Sequence, residues 1–432
     1  MNIKYLHETP HLTTALTGPL HQLEEHLLAH QNEIETWFRH EWHQSEAPVY
    51  ASVDLRNAGF KVAPVDTNLF PAGFNNLNPE FAPLSVQAIQ TALDRICPDA
   101  ARILILPEHH TRNLYYLESI ATLRALLCQA GYETQIGTLS PEINAPTDFS
   151  LPSGQEITLT PVTRKGSRIY AGHFDPCTIL LNNDLSSGIP DILEELEQTI
   201  TPPLGLGWSS RLKSEHFEFY RTVATEFSEI IEIDPWFIDP MFRNCGQIDF
   251  MQRDGEECLA DNAAKLLSDI GEKYREHQID ASPFIVIKAD AGSYGMGVMM
   301  IQSPEEIHQL NRKQRTRMSK SKGGNPIYKV ILQEGVPTYE TWGSPPAVAE
   351  PVVYMMERFV VGGFYRVHTK RGATENLNAP GMHFEPLAFA DSCNIPDSSR
   401  GPDAQPNRFY TYGVIARLAL LAAAREIAAQ PE

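Results

Sequence analysis

Lys288 ends a short apolar run, FIVIK, and is followed in ADAGSYGMGV by Gly292, Gly295 and Gly297. A lysine fixed at a strand end supplies positive charge, and glycines without Cβ atoms let backbone N–H groups approach phosphate oxygens. The chemistry suggested is polyphosphate binding. The stretch is not a P-loop, because the lysine precedes the glycines and the turn leads into a second strand, GVMMI, and it lacks the Rossmann glycine spacing. By itself it reads equally as a tight β-turn with an incidental lysine.

Phosphates repel one another and any carboxylate that attacks them, so such a site calls for Mg²⁺ and oxygen ligands. In PVDTNLFPAGFNNL, Asp66 and Asn68 stand at i and i+2, on one face of a strand, before a Gly and Asn turn that includes Asn75. The spacing suits one metal ion, although taken alone it more often marks an Asx-turn. EHH at 108–110 is a poor zinc site, since adjacent histidines on an extended end point to opposite sides and no third ligand is spaced nearby. The six cysteines are scattered without a CxxC, so neither a zinc ribbon nor a disulfide framework is expected.

The elements that must hold these residues are legible in outline. The chain has 432 residues, 42% apolar and 21% charged, which is material for several packed units. A formal charge of −19 gives no long-range attraction for nucleic acid or an anionic membrane. No secretory leader and no run of 18 apolar residues is present, so a cytoplasmic protein is expected, with a homo-oligomer left open. Residues 19–42 have the apolar spacing of one amphipathic helix. RILIL, LESIATLRALLCQA and TQIG form a βαβ unit, followed by strands EITLT, RIYA and TILLNND and a helical pattern near Pro190. PPLGLGW at 202–208 breaks the periodicity and divides the chain into regions 1–201 and 202–432. The second region continues with the helical pattern LKSEHFEFYRTVATEF, the glycine hairpin, a polar helix from Pro304, the strand YKVILQ and an Ala- and Leu-rich terminal helix suited to packing. Loops at 319–325, 337–346 and 391–407 are candidate lids.

The order of Lys213 entering a helix, Lys288 with its glycine hairpin, and ILQEGV resembles the ATP-grasp superfamily. That resemblance implies that Lys213 and Lys288 hold ATP phosphates, that the loop with Gly292, Ser293 and Gly295 closes over them, and that the hinge Gln333, Glu334 and Val336 meets the adenine edge. VDTNLFPAGFNNL is similar to the metal-binding strand of eukaryotic-type glutathione synthetases, implying Asp66 and Asn68 as Mg²⁺ ligands with Asp290 as a third. LPEHHTRNLYYLES resembles the glutamyl-substrate segment of that family and passes that role to Arg112 and Asn113, with Asn75 nearby. MMERFVVGGFYRVH resembles the strand carrying a nucleotide-site glutamate and an arginine, here Glu357 and Arg366. NLNAPG brings Asn376 and Asn378 toward the phosphate or acyl site.

Together with VDLRNAGFKVAPVDTNLFPAGFNNLN and GGFYRVHTKRGATENLNAPG, these segments resemble the bacterial ATP-grasp glutamate–cysteine ligases along nearly the whole chain. The resemblance implies an α/β protein, an α+β ATP-grasp fold with an N-terminal βαβ substrate domain, that uses ATP, Mg²⁺, L-glutamate and L-cysteine. Phosphoryl transfer to the glutamate γ-carboxylate would give an acyl phosphate, and the cysteine amine would displace phosphate, with Arg56 or Arg112 holding the α-carboxylate. A glutathione synthetase, another amino-acid ligase and a non-catalytic nucleotide-binding regulator are the alternatives. Composition and spacing alone reach only an ATP- and Mg-dependent carboxylate ligase.

Overall fold

The computed structural model describes residues 19–109, 112–292, 297–320, 326–387 and 409–430. Ser293 and Gly295 lie outside the described residues, as do most of the 319–325 loop and all of the 391–407 loop. The expected first helix is two, Pro19–Ala29 and Gln31–Gln44, separated at His30 with φ −99° and ψ 18°. The amides of His30 and Ile34 still bond back to His26 and His30, so helical hydrogen bonding continues across the break. Leu23, Leu27, Ile34 and Phe38 are buried along the inner face of both.

The βαβ unit is present: Arg102–Pro107 runs parallel to Glu133–Thr138 with Arg102 opposite Glu133, and helix Leu114–Gln129 connects them. These strands belong to a mixed sheet. Thr147–Ser150 lies at one edge, followed in order by Glu156–Lys165, Glu133–Thr138, Arg102–Pro107, Thr178–Asn182 and Thr199–Thr201. Every residue of Thr178–Asn182 is buried, as a strand covered on both faces must be. The helix expected near Pro190 does not form, and only a single 3-10 turn, Asp191–Leu193, is found. Asp191, Glu194, Glu195 and Glu197 would stack like charges three and four residues apart on a helix, which opposes one.

Two antiparallel sheets build the rest. One has the order His383–Pro386, Phe359–His368, Ala347–Met356, Tyr50–Asn57 and Val62–Asn68, with Thr341–Trp342 paired to Ala347–Met356. It joins strands from before and after residue 202. The other has the order Phe242–Cys245, Val330–Glu334, Ile285–Ala289 and Val298–Ile301. In it Ile285 pairs with Ile301 and Lys288 with Val298, so the strand, glycine turn and strand form the expected hairpin. The polar helix after Pro304 is divided into Glu305–His308 and Arg312–Met318, because Asn311 makes a capping box with Gln314 and starts the second piece.

Helix Lys213–Ile231 packs along the terminal helix Phe409–Ala428, whose residues Val414 to Ala416 and Leu418 to Ala424 are almost wholly buried. A helix apolar on nearly every side belongs at the centre of a core, and this one also packs on Tyr50–Asn57 and Val62–Asn68. Among the described residues no helix is long and apolar enough to cross a membrane.

Candidate active site

The two antiparallel sheets face each other across a cleft with a cavity of about 110 Å³. Strand register sets the charges on one wall. Asp54 pairs with Asp66 across one ladder and Glu350 with Arg366 across another, while Asp54 opposite Val352 puts Arg56 level with Glu350. Because side chains alternate, all five point to the same face. The opposite wall is Val286, Lys288, Val298, Met300 and Gln333, and Lys213 closes one end.

On the first wall the charges are interleaved. Arg366 Nη1 donates to Asp54 at 2.8 Å and to Glu350 at 2.5 Å, and Arg56 Nε donates to the other Glu350 oxygen at 3.0 Å. Burial would raise the Glu350 pKa, but the guanidinium groups of Arg56 and Arg366 hold it below the ordinary range. Asp54 moves the other way: burial raises it and the nearby Glu350 and Asp66 charges add to that, against the pull of Arg366. Every nitrogen of Arg56 has a partner, since Nη1 and Nη2 also donate to the carbonyls of Val336, Ala373 and Glu375.

Asp66 is different, because its carboxylate is open to the cleft and 3.8 Å from Lys213 Nζ. Burial raises its pKa, and Lys213, Lys288 and Arg211 more than offset that, keeping it ionised. Lys213 donates to the Gly292 carbonyl at 2.8 Å and lies 3.5 Å above the Trp208 ring, which fixes its ammonium at the mouth of the glycine turn. Lys288 donates to Val65 O and to Gln333 Oε1 at 2.7 and 2.6 Å. Burial, only partly countered by Asp66 and reinforced by Lys213 and Arg56, brings its pKa down to about 8. Among the described residues, Gln333 Nε2 and Arg366 Nε are buried donors with no acceptor, and both belong to cleft-lining residues. Such orphaned donors fit a ligand rich in acceptor oxygens.

Gly297, at the far side of the turn, has φ +64°, and a Cβ there would come within 2.8 Å of Ile327 Cδ1. Only glycine closes the hairpin at that point. The side chain of Glu334 faces away from the cleft into a buried pair with Lys61 at 2.6 Å. The amides of Glu334 and Gly335 bond to Met241 and Phe284, so the hinge N–H groups at those positions are occupied.

The cleft brings together Arg56, Asp66, Lys213, Lys288, Gly292, Gln333, Glu334, Val336, Arg366, Asn376 and Asn378 of the residues expected from sequence. Others lie elsewhere. Asn68 accepts from the Phe70 amide in an Asx-turn, and both oxygens of Asp290 bind Ser214, so those two expected metal ligands are engaged in local structure. Asn75 is exposed on a 3-10 turn, Arg112 is exposed ahead of helix Leu114–Gln129, and Asn113 caps that helix through the Tyr116 amide. Glu357 occupies the turn of the Ala347–Met356 hairpin with φ +51°. Seven residues from Glu350, it is about 20 Å along the strand from the cleft. Asp54 and Glu350 were not expected. Each is a lone carboxylate in a mostly apolar strand segment, YASVDL and AVAEPVVYMM, and that pattern is the signal that could have found them.

The chain matches the glutamate–cysteine ligase family, GshA, over residues 24–427. A crystal structure from Methylobacillus flagellatus KT, assigned as a gamma-glutamylcysteine synthetase, is 58% identical, covers 97% of this chain and 98% of its own, and superposes with a TM-score of 0.89. A glutathione synthetase-like effector from Globodera pallida is 9% identical over 79% of this chain and 72% of its own, with a TM-score of 0.34. A D-alanyl-alanine synthetase A from Vibrio cholerae is 9% identical over 66% and 74%, with a TM-score of 0.32. Likenesses as loose as these last two carry no weight. Among curated proteins no match was found. The chain belongs to the glutamate–cysteine ligase family.

Proposed function

We propose that this ligase is an ATP-grasp enzyme that joins L-glutamate to L-cysteine at the expense of ATP, through γ-glutamyl phosphate. The observation that carries the mechanism is the pair of lysines, from a helix start and a strand end, that converge on Asp66 beside the glycine turn. In this reading the region before residue 202 contributes Asp54, Arg56 and Asp66, and the region after it contributes Lys213, Lys288, Arg366 and the hinge.

A carboxylate is a poor electrophile, so the γ-carboxylate of glutamate needs a leaving group before an amine can attack it. Lys213 and Lys288 neutralise the oxygens of the transferring phosphoryl group, and their fixed positions supply this without reorganisation. Lys288 is oriented by Gln333 and by the Val65 carbonyl, which hold its ammonium between the two walls. Arg366 keeps one guanidinium nitrogen unpaired among the described residues and is the better candidate for the substrate carboxylate, because Arg56 has its donors committed. Asn376 and Asn378 line the same cavity and can orient the acyl group. The donor set suits a hard cation: Asp66, whose carboxylate is open to the cleft, would hold Mg²⁺, which when bound screens the phosphate charges, while both oxygens of Asp54 opposite it are taken up by Arg366. Such an enzyme works where ATP is abundant, in the cytoplasm.

The test is phosphate release and product mass with Mg-ATP. Glutamate plus cysteine should give γ-glutamylcysteine, while γ-glutamylcysteine plus glycine should stay unreacted. Product only in the second mixture would make the chain a glutathione synthetase.

A further inference from the structure

Behind the Asp66 strand lies a charged cluster that the mechanism above does not use. Arg211 is almost wholly buried, and its Nε and Nη2 form a fork to the two oxygens of Glu426 at 2.7 and 2.8 Å. Glu426 belongs to the last turns of the terminal helix. Its second oxygen is also 2.9 Å from His216 Nδ1. With its Nε and Nη2 edge fixed by the carboxylate, the planar guanidinium has its Nη1 direction set, and Nη1 donates to the Thr67 carbonyl at 2.7 Å. Thr67 is the neighbour of Asp66. The same guanidinium lies 5.1 Å from the ring of Trp208, and that ring carries the Lys213 ammonium at 3.5 Å.

We propose that Arg211 and Glu426 are positioning residues: a clamp from the C-terminal helix that sets the Thr67–Asn68 peptide, next along the strand from Asp66, and the Trp208 platform together, and so fixes the 3.8 Å separation between Asp66 and Lys213. The inference rests on the reading of that pair as the phosphate and metal end of the site. It gives the terminal helix, whose composition suggests packing alone, a part in aligning the cleft. A fork with both partners buried has little freedom to tilt, so a change at Glu426 is passed to two cleft residues on separate elements at once. Arg425, one residue earlier on the same helix, pairs outward with Glu41 and Glu226 and provides the control.

The experiment is calorimetric titration of the full chain with the Mg²⁺ complex of a non-hydrolysable ATP analogue, alongside turnover. Supporting groups behind a metal site typically govern it by about 10- to 100-fold in affinity, so Glu426→Gln should weaken analogue binding by at least about tenfold. Turnover should show the loss in KM for Mg-ATP and in kcat, with KM for cysteine unchanged. Arg425→Gln should bind as wild type does, although it also removes ion pairs from the helix. Arg211→Lys, which keeps the charge but cannot fork, should repeat the Glu426→Gln result, and serves if that variant does not fold. Wild-type binding in Glu426→Gln or Arg211→Lys, or equal weakening in Arg425→Gln, overturns the clamp. A wild type that binds the analogue but makes no γ-glutamylcysteine sinks the ligase reading and leaves the clamp to be decided by calorimetry.

Discussion

Lys213 Nζ and Asp66 Oδ1 stand 3.8 Å apart, although one opens a helix after residue 202 and the other sits on a strand well before it. The pair is held from outside itself, by Gly292 and Trp208 under the lysine and by strand register under the aspartate. Hydrogen bonds to charged groups contribute about 1.5–3 kcal/mol, so Lys213→Met should weaken Mg-nucleotide binding by about 10- to 100-fold. The lysine's removal also frees the Gly292 carbonyl, and hydrogen exchange at the turn should quicken. Unchanged nucleotide affinity in this variant would remove Lys213 from the phosphate site.

Lys288 supplies a pH dependence with a definite sign. Its pKa in the free protein is brought down to about 8 by burial, so it carries its charge below that pH and loses it above. The kcat/KM for ATP reports the free enzyme and should therefore fall as pH rises through about 8. Bound polyphosphate favours the charged form, so kcat should decline at higher pH than kcat/KM. Lys288→Arg stays charged across this range, and any activity it retains should lack that alkaline limb. Lys288→Ala should abolish turnover with the fold intact.

Which parts of this site were legible in the sequence follows from the range of the interactions involved. Lys288 with Gly292 and Gly297 is a local pattern, because strand, turn and strand are contiguous, and a short window shows all of it. Lys213 is legible only as a helix start, and its place at the cleft depends on Trp208 and Gly292. Asp54 meets Glu350 and Arg366 through antiparallel register between strands about 300 residues apart in the chain, a separation no periodicity reports. Asn68 and Asp290 have types that suit a metal, but short polar side chains also satisfy nearby backbone and hydroxyl donors, and each has such a local partner here, which the sequence pattern does not report. The missing helix after Pro190 failed for electrostatic reasons that apolar spacing alone does not register.

Glu426 predicts the acid limb of stability. Burial raises its pKa, but Arg211 and His216 outweigh that and bring it from an ordinary 4.5 down to about 2. A carboxylate depressed in the folded state contributes stability that is complete above its unfolded pKa and is lost as pH falls through the folded value. That contribution, about 3 kcal/mol from the shift, should disappear between roughly pH 4.5 and pH 2. Glu426→Gln should be less stable than wild type at neutral pH, and the difference should shrink over that window. Urea unfolding at a series of pH values measures it, and a constant difference down to pH 2 would show that the carboxylate charge is not what the cluster relies on.

Lys61 and Glu334 form a further buried charge pair beside the cleft, with both side chains wholly enclosed and 2.6 Å between Nζ and Oε2. Lys61 lies in the turn before strand Val62–Asn68, and Glu334 ends the strand that leads to the hinge, so the pair ties one wall of the cleft to the other. Glu334 also accepts from Trp236 Nε1 and the Met241 amide, and the ammonium sits 4.3 Å over the Trp236 ring. Breaking a buried pair by removing one partner costs about 3–5 kcal/mol, because the survivor remains desolvated and uncompensated. Lys61→Met should lose that much in urea unfolding. The double variant Lys61→Met with Glu334→Met should recover most of it, since apolar side chains of similar volume often replace a buried pair at little cost. Recovered stability need not restore function: without the tie the two walls can shift, and KM for ATP in the double variant should stay raised. A double variant as unstable as the single would mean that Glu334 is needed for its bonds to Trp236 and Met241 more than for its charge partner.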